Sequence, residues 1–249
     1  ALGADACEIY TDVDGIYTTD PRICTDARKI EKITFQEMLE LASLGAKVLQ
    51  TRSVEFAMKY GVALHVRSSW EETEGSWVVA EEEGMEGAVV TGIAYDRNMA
   101  KLTVTQVPDK PGMVGGLLAP LGAGGINVDV IIQNSSADGT TDVSFTVGST
   151  EAARATELAT EVATRLGCGP VNCDTRVAKV SVVGAGMRSE PGVAVRMFET
   201  LGAAGVNILM IATSEIRISC LIDERYTELA VRVLHDAFRL ATPPVAPKS

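Results

Sequence analysis

The sequence predicts a mixed α/β and α+β chain: an α/β region over about the first 80 residues, then two copies of one β-α-β-β-α unit. The repeat is the first observation behind this. Residues 111–135, PGMVGGLLAPLGAGGINVDVIIQNS, recur as 191–215, PGVAVRMFETLGAAGVNILMIATSE, at a constant offset of 80. Without a gap the two windows share Pro111/Pro191, Gly112/Gly192, Leu121/Leu201, Gly122/Gly202, Ala123/Ala203, Gly125/Gly205, Asn127/Asn207 and Ile131/Ile211. Such self-similarity means one supersecondary unit built twice. The second observation is the switch of apolar period within each copy, from two in the strands to helical spacing and back. The third is the alternation of strand-like and helix-like runs before residue 80.

The elements follow in order. CEIYTDV (7–13) reads as a strand, and turn chemistry around Asp14-Gly15 and Asp20-Pro21 follows it. Thr34 and Glu37 form a T-x-x-E capping box that opens a helix through about Ser43. After Gly45 a second helix is expected from about Lys47 to Tyr60, stopped by Gly61, and VALHVRSS (62–69) is a strand. The acidic stretch 71–87 holds one apolar patch, Trp77 to Ala80, between flanks that read as linker.

Strands at 100–107 and 178–185 precede the two Pro-Gly steps. Each step opens a helix of about ten residues that glycine terminates, at 122–125 and 202–205. INVDVIIQ (126–133) and VNILMIAT (206–213) are apolar strands, and alternation marks further strands at 141–147 and 216–222. A closing helix presents Ala155, Leu158, Ala159, Val162 and Leu166 in the first copy, and Tyr226, Leu229, Ala230, Val233 and Ala237 in the second. With a closing strand each copy is a split β-α-β, ferredoxin-like βαββαβ unit. The proline-rich end, ATPPVAPKS (241–249), offers no such strand to the second copy.

Composition narrows the function. The chain is 46% hydrophobic but only 5% aromatic, so its core must be built from Val, Ile, Leu, Ala and Met, with Met187, Met197 and Met210 filling gaps. A net charge of -11 argues against nucleic acid or an anionic membrane as partner. No apolar run approaches the length of a membrane span, and no signal peptide opens the chain; the missing initiator Met suggests a start inside a domain. Five irregularly spaced cysteines fit reduced thiols in a cytoplasmic protein. The two histidines lie far from any cysteine pair, which disfavours zinc. His65 reads as solvated or at a core edge, and His235 as a surface residue of an amphipathic helix.

TDVDGIYTTDPR (11–22), FQEMLELASLGAK (35–47), VRSS (66–69), DKPG (109–112), INVDVIIQN (126–134) and TSEIRIS (213–219), in this order, resemble the aspartate kinase family. The resemblance covers nearly the whole chain. It implies the C-terminal part of an amino-acid-kinase catalytic domain at 1–80, an ACT domain at 81–175, a second at 176–240 and a tail at 241–249. The Lys-Phe-Gly-Gly strand-loop with which such kinases begin, and the Gly-Gly-Ser-Asp-Thr phosphate loop they carry just upstream of a segment like ALGADACEIYTD, are absent, so no catalytic residue is assigned and the chain alone is expected to be inactive.

The activity implied for the full enzyme is transfer of the γ-phosphate of ATP, as its Mg²⁺ complex, to L-aspartate. Lysine, threonine or both would act as effectors, and the ACT units would pair in a homodimer or heterotetramer. By the same resemblance Thr11, Asp12, Tyr17, Thr18, Thr19, Asp20, Pro21, Arg22 and Lys47 lie at the nucleotide. Arg22 and Lys47 would supply the cations a triphosphate needs. Asp12, Asp14 and Asp20 match no calcium-loop spacing, and no metal site is assigned.

An amino-acid effector needs an anion site for its carboxylate. Gly112, with the backbone N–H groups of Met113 and Val114 at a helix start, offers one, and Asp109 can take the ammonium. Asn127, Val128, Asp129 and Gln133, across a domain interface, and Asn207, Ile208, Thr213 and Ser214 of the second copy complete the candidates. Asp109 and Asp129 correspond to Ser189 and Leu209, so the copies differ in charge. The alternative reading is a non-catalytic amino-acid-binding subunit begun at an internal Met85.

Overall fold

The computed structural model describes residues 3–46, 48–81, 89–134 and 139–243. It divides into two compact units. One comprises Ala1–Asp96, Lys179–Ile222 and Tyr226–Ser249, the other Arg97–Ala178 and Asp223–Arg225. None of the described helices is long and apolar enough to cross a membrane.

The first unit opens with strand β1 (Ala6–Thr11), the short hairpin β2 (Ile16–Tyr17) and β3 (Lys29–Ile30), and strand β4 (Lys32–Thr34). Helix α1 (Phe35–Ser43) begins at the expected capping box. Thr34 Oγ1 accepts the N–H of Glu37 at 3.2 Å, and Glu37 Oε2 accepts the N–H of Thr34 at 3.1 Å. Helix α2 (Thr51–Tyr60) starts later than the pattern suggested, after Gln50, and ends at Gly61 with φ 64°. Gly45, between the helices, has φ +107°, and a side chain there would run into the carbonyl of Tyr95.

Strands β5 (Ala63–Ser68) and β6 (Ser76–Val79) complete a sheet of order β1-β5-β6-β4. The apolar patch at Trp77, between flanks that read as linker, is therefore a strand. It pairs parallel with β4 and antiparallel with β5, and Val78 is wholly buried. Short separation from Glu-rich flanks hid it; burial between two partner strands decides it. Met38, Leu41, Val54 and Ala57 of the helices pack on Ile33, Leu64, Val66 and Val78, with Ala94 and Val183 in the same core.

In the second unit, strand β7 (Gly92–Pro108) leads to helix α3 (Met113–Ala123), strand β8 (Ile131–Gln133), strand β9 (Thr140–Gly148), helix α4 (Ala152–Leu166) and strand β10 (Val171–Val183). Residues 97–108 of β7 and 171–178 of β10 belong to this unit, whose strand order is β10-β7-β9-β8. Leu102, Val104, Leu117, Leu121, Phe145, Ala159 and Val162 make its core. Only 131–133 of the expected strand 126–133 is regular. Val130 N–H donates to the hydroxyl of Thr146 (3.1 Å) instead of a backbone carbonyl, which interrupts the ladder.

The second repeat lies in the first unit. Residues 179–183 of β10 lead to helix α5 (Val193–Ala203), strand β11 (Ile208–Thr213), strand β12 (Arg217–Asp223) and helix α6 (Thr227–Ala237). Its closing strand comes from upstream. Val90 and Ile93 pack with Val180, Val182, Met197, Leu201, Ile218, Cys220 and Leu234, and Thr91 N–H donates to Val183 O at 2.8 Å. The order β7-β10-β12-β11 is again that of a ferredoxin-like unit. The first repeat is thus inserted between the last strand of the second repeat and the rest of it.

Helix α6 turns differently from the expected face. Ala230, Val231, Leu234 and His235 are buried and Leu229 is exposed. His235 is fully inaccessible, a correction to its reading as a surface residue. It comes from the neighbours that cover α6, a tertiary fact that helical spacing does not carry.

Candidate functional site

β1 and β5 run parallel, with Thr11 opposite Ser68, so both strands end at the same rim of their sheet. Ligands of open α/β sheets bind at such carboxyl ends. Ser69 N–H donates to Thr11 O at 2.8 Å, and Ser68 Oγ accepts the N–H groups of Trp70 and Glu71 at 3.0 and 3.1 Å. Thr11 Oγ1 donates to Asp12 Oδ1 at 3.1 Å. Thr11 and Asp12 thus sit at the rim, where backbone and hydroxyl groups are concentrated.

The loop that follows is held by charge. Lys29 Nζ and the Tyr17 hydroxyl both donate to the carboxylate of Asp14, at 3.0 and 2.9 Å. Burial pushes Asp14 up, yet these donors outweigh it and leave it below the usual carboxylate range. Burial and the adjacent Asp14 push the Tyr17 phenol up to about 12. Arg22 grips Asp20 through Nε at 3.0 Å and Nη2 at 2.8 Å, and Tyr95 donates to Asp20 at 3.1 Å. The Arg22 bond holds Asp20 below its ordinary value. Pro21 and Arg22 are exposed; Thr18 and Thr19 are buried. Lys47 lies outside the described residues.

Thr18 is anchored on every side. Its N–H donates to Arg28 O (2.9 Å), its carbonyl accepts from Ile93 N (2.7 Å), and its hydroxyl accepts from Arg28 N (3.0 Å) and pairs with His235 Nε2 (3.0 Å). Burial holds the His235 imidazole below its ordinary pKa. His65, by contrast, stacks on Trp77 with ring centres 3.9 Å apart, its Nε2 2.6 Å from Glu74 O.

Both Pro-Gly steps start helices without a side-chain cap, Gly112 at φ 89° and Gly192 at φ 100°. The Met113 N–H, expected to face an anion, donates to Lys110 O at 3.3 Å within the turn, and Asp109 is tied to Gly139 O by its N–H at 2.9 Å. The remaining effector candidates do not converge within one chain. Asp129 N–H reaches Thr146 O, whereas Asp109 lies just past Pro108, which is paired with Thr140. Six residues of strand separate those levels, about 20 Å. Asn127 and Val128 are at the Asp129 end, and Gln133, opposite Val143, lies between. In the second copy Asn207 and Ile208 stand at the start of β11 and Thr213 and Ser214 at its end, about 17 Å away. A cavity of about 390 Å³ opens beside Gly192 instead, lined by Arg28, Arg196, Phe238 and Arg239 among others.

Residues 1–68 match the amino acid kinase family and residues 180–238 the ACT domain. The chain is 53% identical over 245 residues to an aspartokinase of Pseudomonas aeruginosa, a match covering 98% of this chain and 60% of that protein. The regulatory subunit of aspartate kinase from Thermus thermophilus is 39% identical with a TM-score of 0.58, over 60% of this chain and 99% of that subunit. The chain belongs to the aspartate kinase family.

Aspartokinase III of E. coli, solved in complex with aspartate and ADP, superposes with a TM-score of 0.79 at 28% identity, over 95% of this chain and 53% of that one. The chain spans about 60% of the length of the curated relatives it matches. Within it, Lys29, Tyr95 and His235 serve the 11–22 loop without having been singled out by sequence. The first two are ordinary charged and aromatic positions, and the third was assigned to the wrong side of its helix.

Proposed function

We propose that this chain is the closing part of the catalytic region and the regulatory region of an aspartate kinase. With its upstream portion it would use ATP and Mg²⁺ to phosphorylate the side-chain carboxylate of L-aspartate, giving 4-phospho-L-aspartate. The carrying observation is the polar rim formed where parallel β1 and β5 end at Thr11–Asp12 and Ser68–Ser69, beside the braced loop to Arg22. Phosphoryl transfer is chiefly positioning and charge neutralisation, which exposed cations and rim hydroxyls can assist. The residues fit a nucleotide in part. Arg22 can leave Asp20 for a phosphate because its side chain is 88% exposed, and Mg²⁺ would neutralise phosphate charge. The name of the Pseudomonas relative and the aspartate and ADP of the E. coli enzyme support the same reading.

The division would be kinase region 1–80, first ACT domain 81–175, second 176–240 and tail 241–249, with strand residues 92–96 lent to the second. Lysine, threonine or both would bind the ACT units in the cytoplasm. The separation of Asp109 from Asp129 along the first repeat supports a ligand held between two copies of that repeat in an assembly, one contributing each end. Exposed Ile131 on β8 and Leu209 and Ile211 on β11 suit edge pairing in a homodimer or heterotetramer. Hydroxamate trapping of aspartyl phosphate should be negative with this chain and positive once the upstream sequence is restored; a restored chain that folds and stays inactive would end the kinase reading.

A second reading, a non-catalytic regulatory subunit, is favoured by the Thermus subunit, nearly all of which is matched by 60% of this chain. The internal start it needs, Met85, lies outside the described residues. Retention of the braced loop at 11–22 favours the kinase.

A further inference from the structure

We propose that His235, on helix α6 of the second repeat, is a positioning residue for the nucleotide: through Thr18 it holds the 17–22 loop in its receiving shape. The inference rests on the nucleotide reading of that loop. Its basis is geometric. Thr18 and His235, 217 positions apart, are both fully buried, and Thr18 Oγ1 lies 3.0 Å from His235 Nε2. The other ring nitrogen, Nδ1, is buried with no hydrogen-bond partner. In either tautomer the imidazole therefore has one directional contact, and that contact is Thr18. An apolar side chain of similar size would avoid leaving a buried nitrogen unpaired. A histidine in this place does something for Thr18 that packing alone does not.

What it fixes is the base of the loop. The peptide N–H, carbonyl and hydroxyl of Thr18 are taken by Arg28, Ile93 and His235, from three different parts of the chain. Tyr95, two residues beyond Ile93, holds Asp20, and Asp20 in turn holds Arg22. Arg22, the exposed cation of this loop, therefore hangs from two pinned residues. Loss of the His235 bond leaves the Thr18 hydroxyl held only by the Arg28 N–H and lets the segment between these pins shift. A catalytic or binding group displaced by a fraction of an ångström to one ångström loses much of its effect.

The test is steady-state kinetics of the full-length enzyme carrying His235→Phe, Thr18→Val, both together, or His235→Gln. The single variants His235→Phe and Thr18→Val should raise KM for ATP about fivefold with kcat within about twofold and KM for aspartate unmoved. The double variant should be no worse than Thr18→Val alone, since that change already removes the His235 bond together with the Arg28 N–H bond to the same hydroxyl. His235→Gln, which keeps a nitrogen donor within reach, should recover most of the loss. An unchanged KM for ATP in folded variants, or equal rises in both KM values, would overturn the proposal.

If His235→Phe fails to fold, the wild-type enzyme still answers. Its imidazole ¹⁵N resonance, assigned by its loss in His235→Gln, should move on addition of ATP, and a resonance unmoved at saturating ATP overturns the role. An enzyme that neither binds ATP nor turns over would remove the nucleotide reading itself, and the role of His235 with it. Normal ATP binding with indifferent variants removes only the role of His235.

Discussion

The carboxylate of Glu37, on α1, accepts the backbone N–H of Ala185 at 3.0 Å, across 148 positions of sequence. The same oxygen takes the hydroxyl of Thr91 at 2.5 Å, and the other takes the N–H and hydroxyl of Thr34. A capping residue has thus become a buried joint between α1 and the strands of the second repeat. Gln36 and Glu40 extend it, bonding Arg188 at 2.7 Å and Arg217 at 2.9 Å. Glu37→Ala strands several buried donors, and each unsatisfied donor costs about 1–3 kcal/mol. Urea unfolding of this chain should show a loss of about 3 kcal/mol or more for Glu37→Ala and clearly less for Glu37→Gln, which keeps one acceptor oxygen. Equal losses would mean that the helix cap, not the joint, is what matters.

Acid should weaken the fold in two steps. Burial holds the folded-state pKa of His235 below its unfolded value of 6.5. Below 6.5 the unfolded chain binds a proton that the folded chain refuses. Stability is therefore full above that pH and falls as pH drops toward the folded value. Asp14 and Asp20, also lowered, add a separate loss below their ordinary value of 3.8. Thermal unfolding between pH 7 and 5 should decline in the wild type and lose most of that slope in His235→Gln, while the deeper acid step persists in both.

Gly112 and Gly192 have room for a side chain, since nothing lies within 4 Å of an added Cβ; their constraint is φ, +89° and +100°. Gly112→Ala and Gly192→Ala should each cost about 1–2 kcal/mol of stability through backbone strain. Calorimetric melting of the two variants reads this directly, and unchanged melting would show that the helix starts relax without strain.

Asp109 and Ser189 occupy equivalent places in the two copies but differ in charge. If the first copy receives the ammonium of an amino acid, Asp109→Asn should weaken that binding about tenfold, roughly 1.4 kcal/mol. Ser189→Ala should change it little. Titration calorimetry with lysine and threonine separates the cases, and equal affinities for wild type and Asp109→Asn would remove Asp109 from the site.

The first capping box, the Gly61 stop, both Pro-Gly helices and the alternating strands were legible because each depends on neighbours a few residues away. Thr34 needs only Glu37 within reach, and Gly112 needs only its own φ. The faces were less legible. In 226–238 one helical stripe through Leu229 and Val233 and another through Ala230, Val231 and Leu234 both satisfy the period. Only the segments that cover α6 select the second, and they carry His235 inward. The candidate site divides the same way: Thr11, Asp12 and Arg22 could be named from their motif, but Lys29, Tyr95 and His235 serve the loop through contacts that no spacing encodes.

By itself, then, the sequence determined a duplicated βαββα unit and the chemistry of its Pro-Gly starts, because local propensity and periodicity write these into consecutive residues. Tertiary structure decided where the missing strand of the second copy came from. Residues 92–96 close it because an unpaired sheet edge and the apolar side chains of Val90 and Ile93 need partners. That need is met by whichever segment the folded chain brings there, more than 80 positions before the strand it joins.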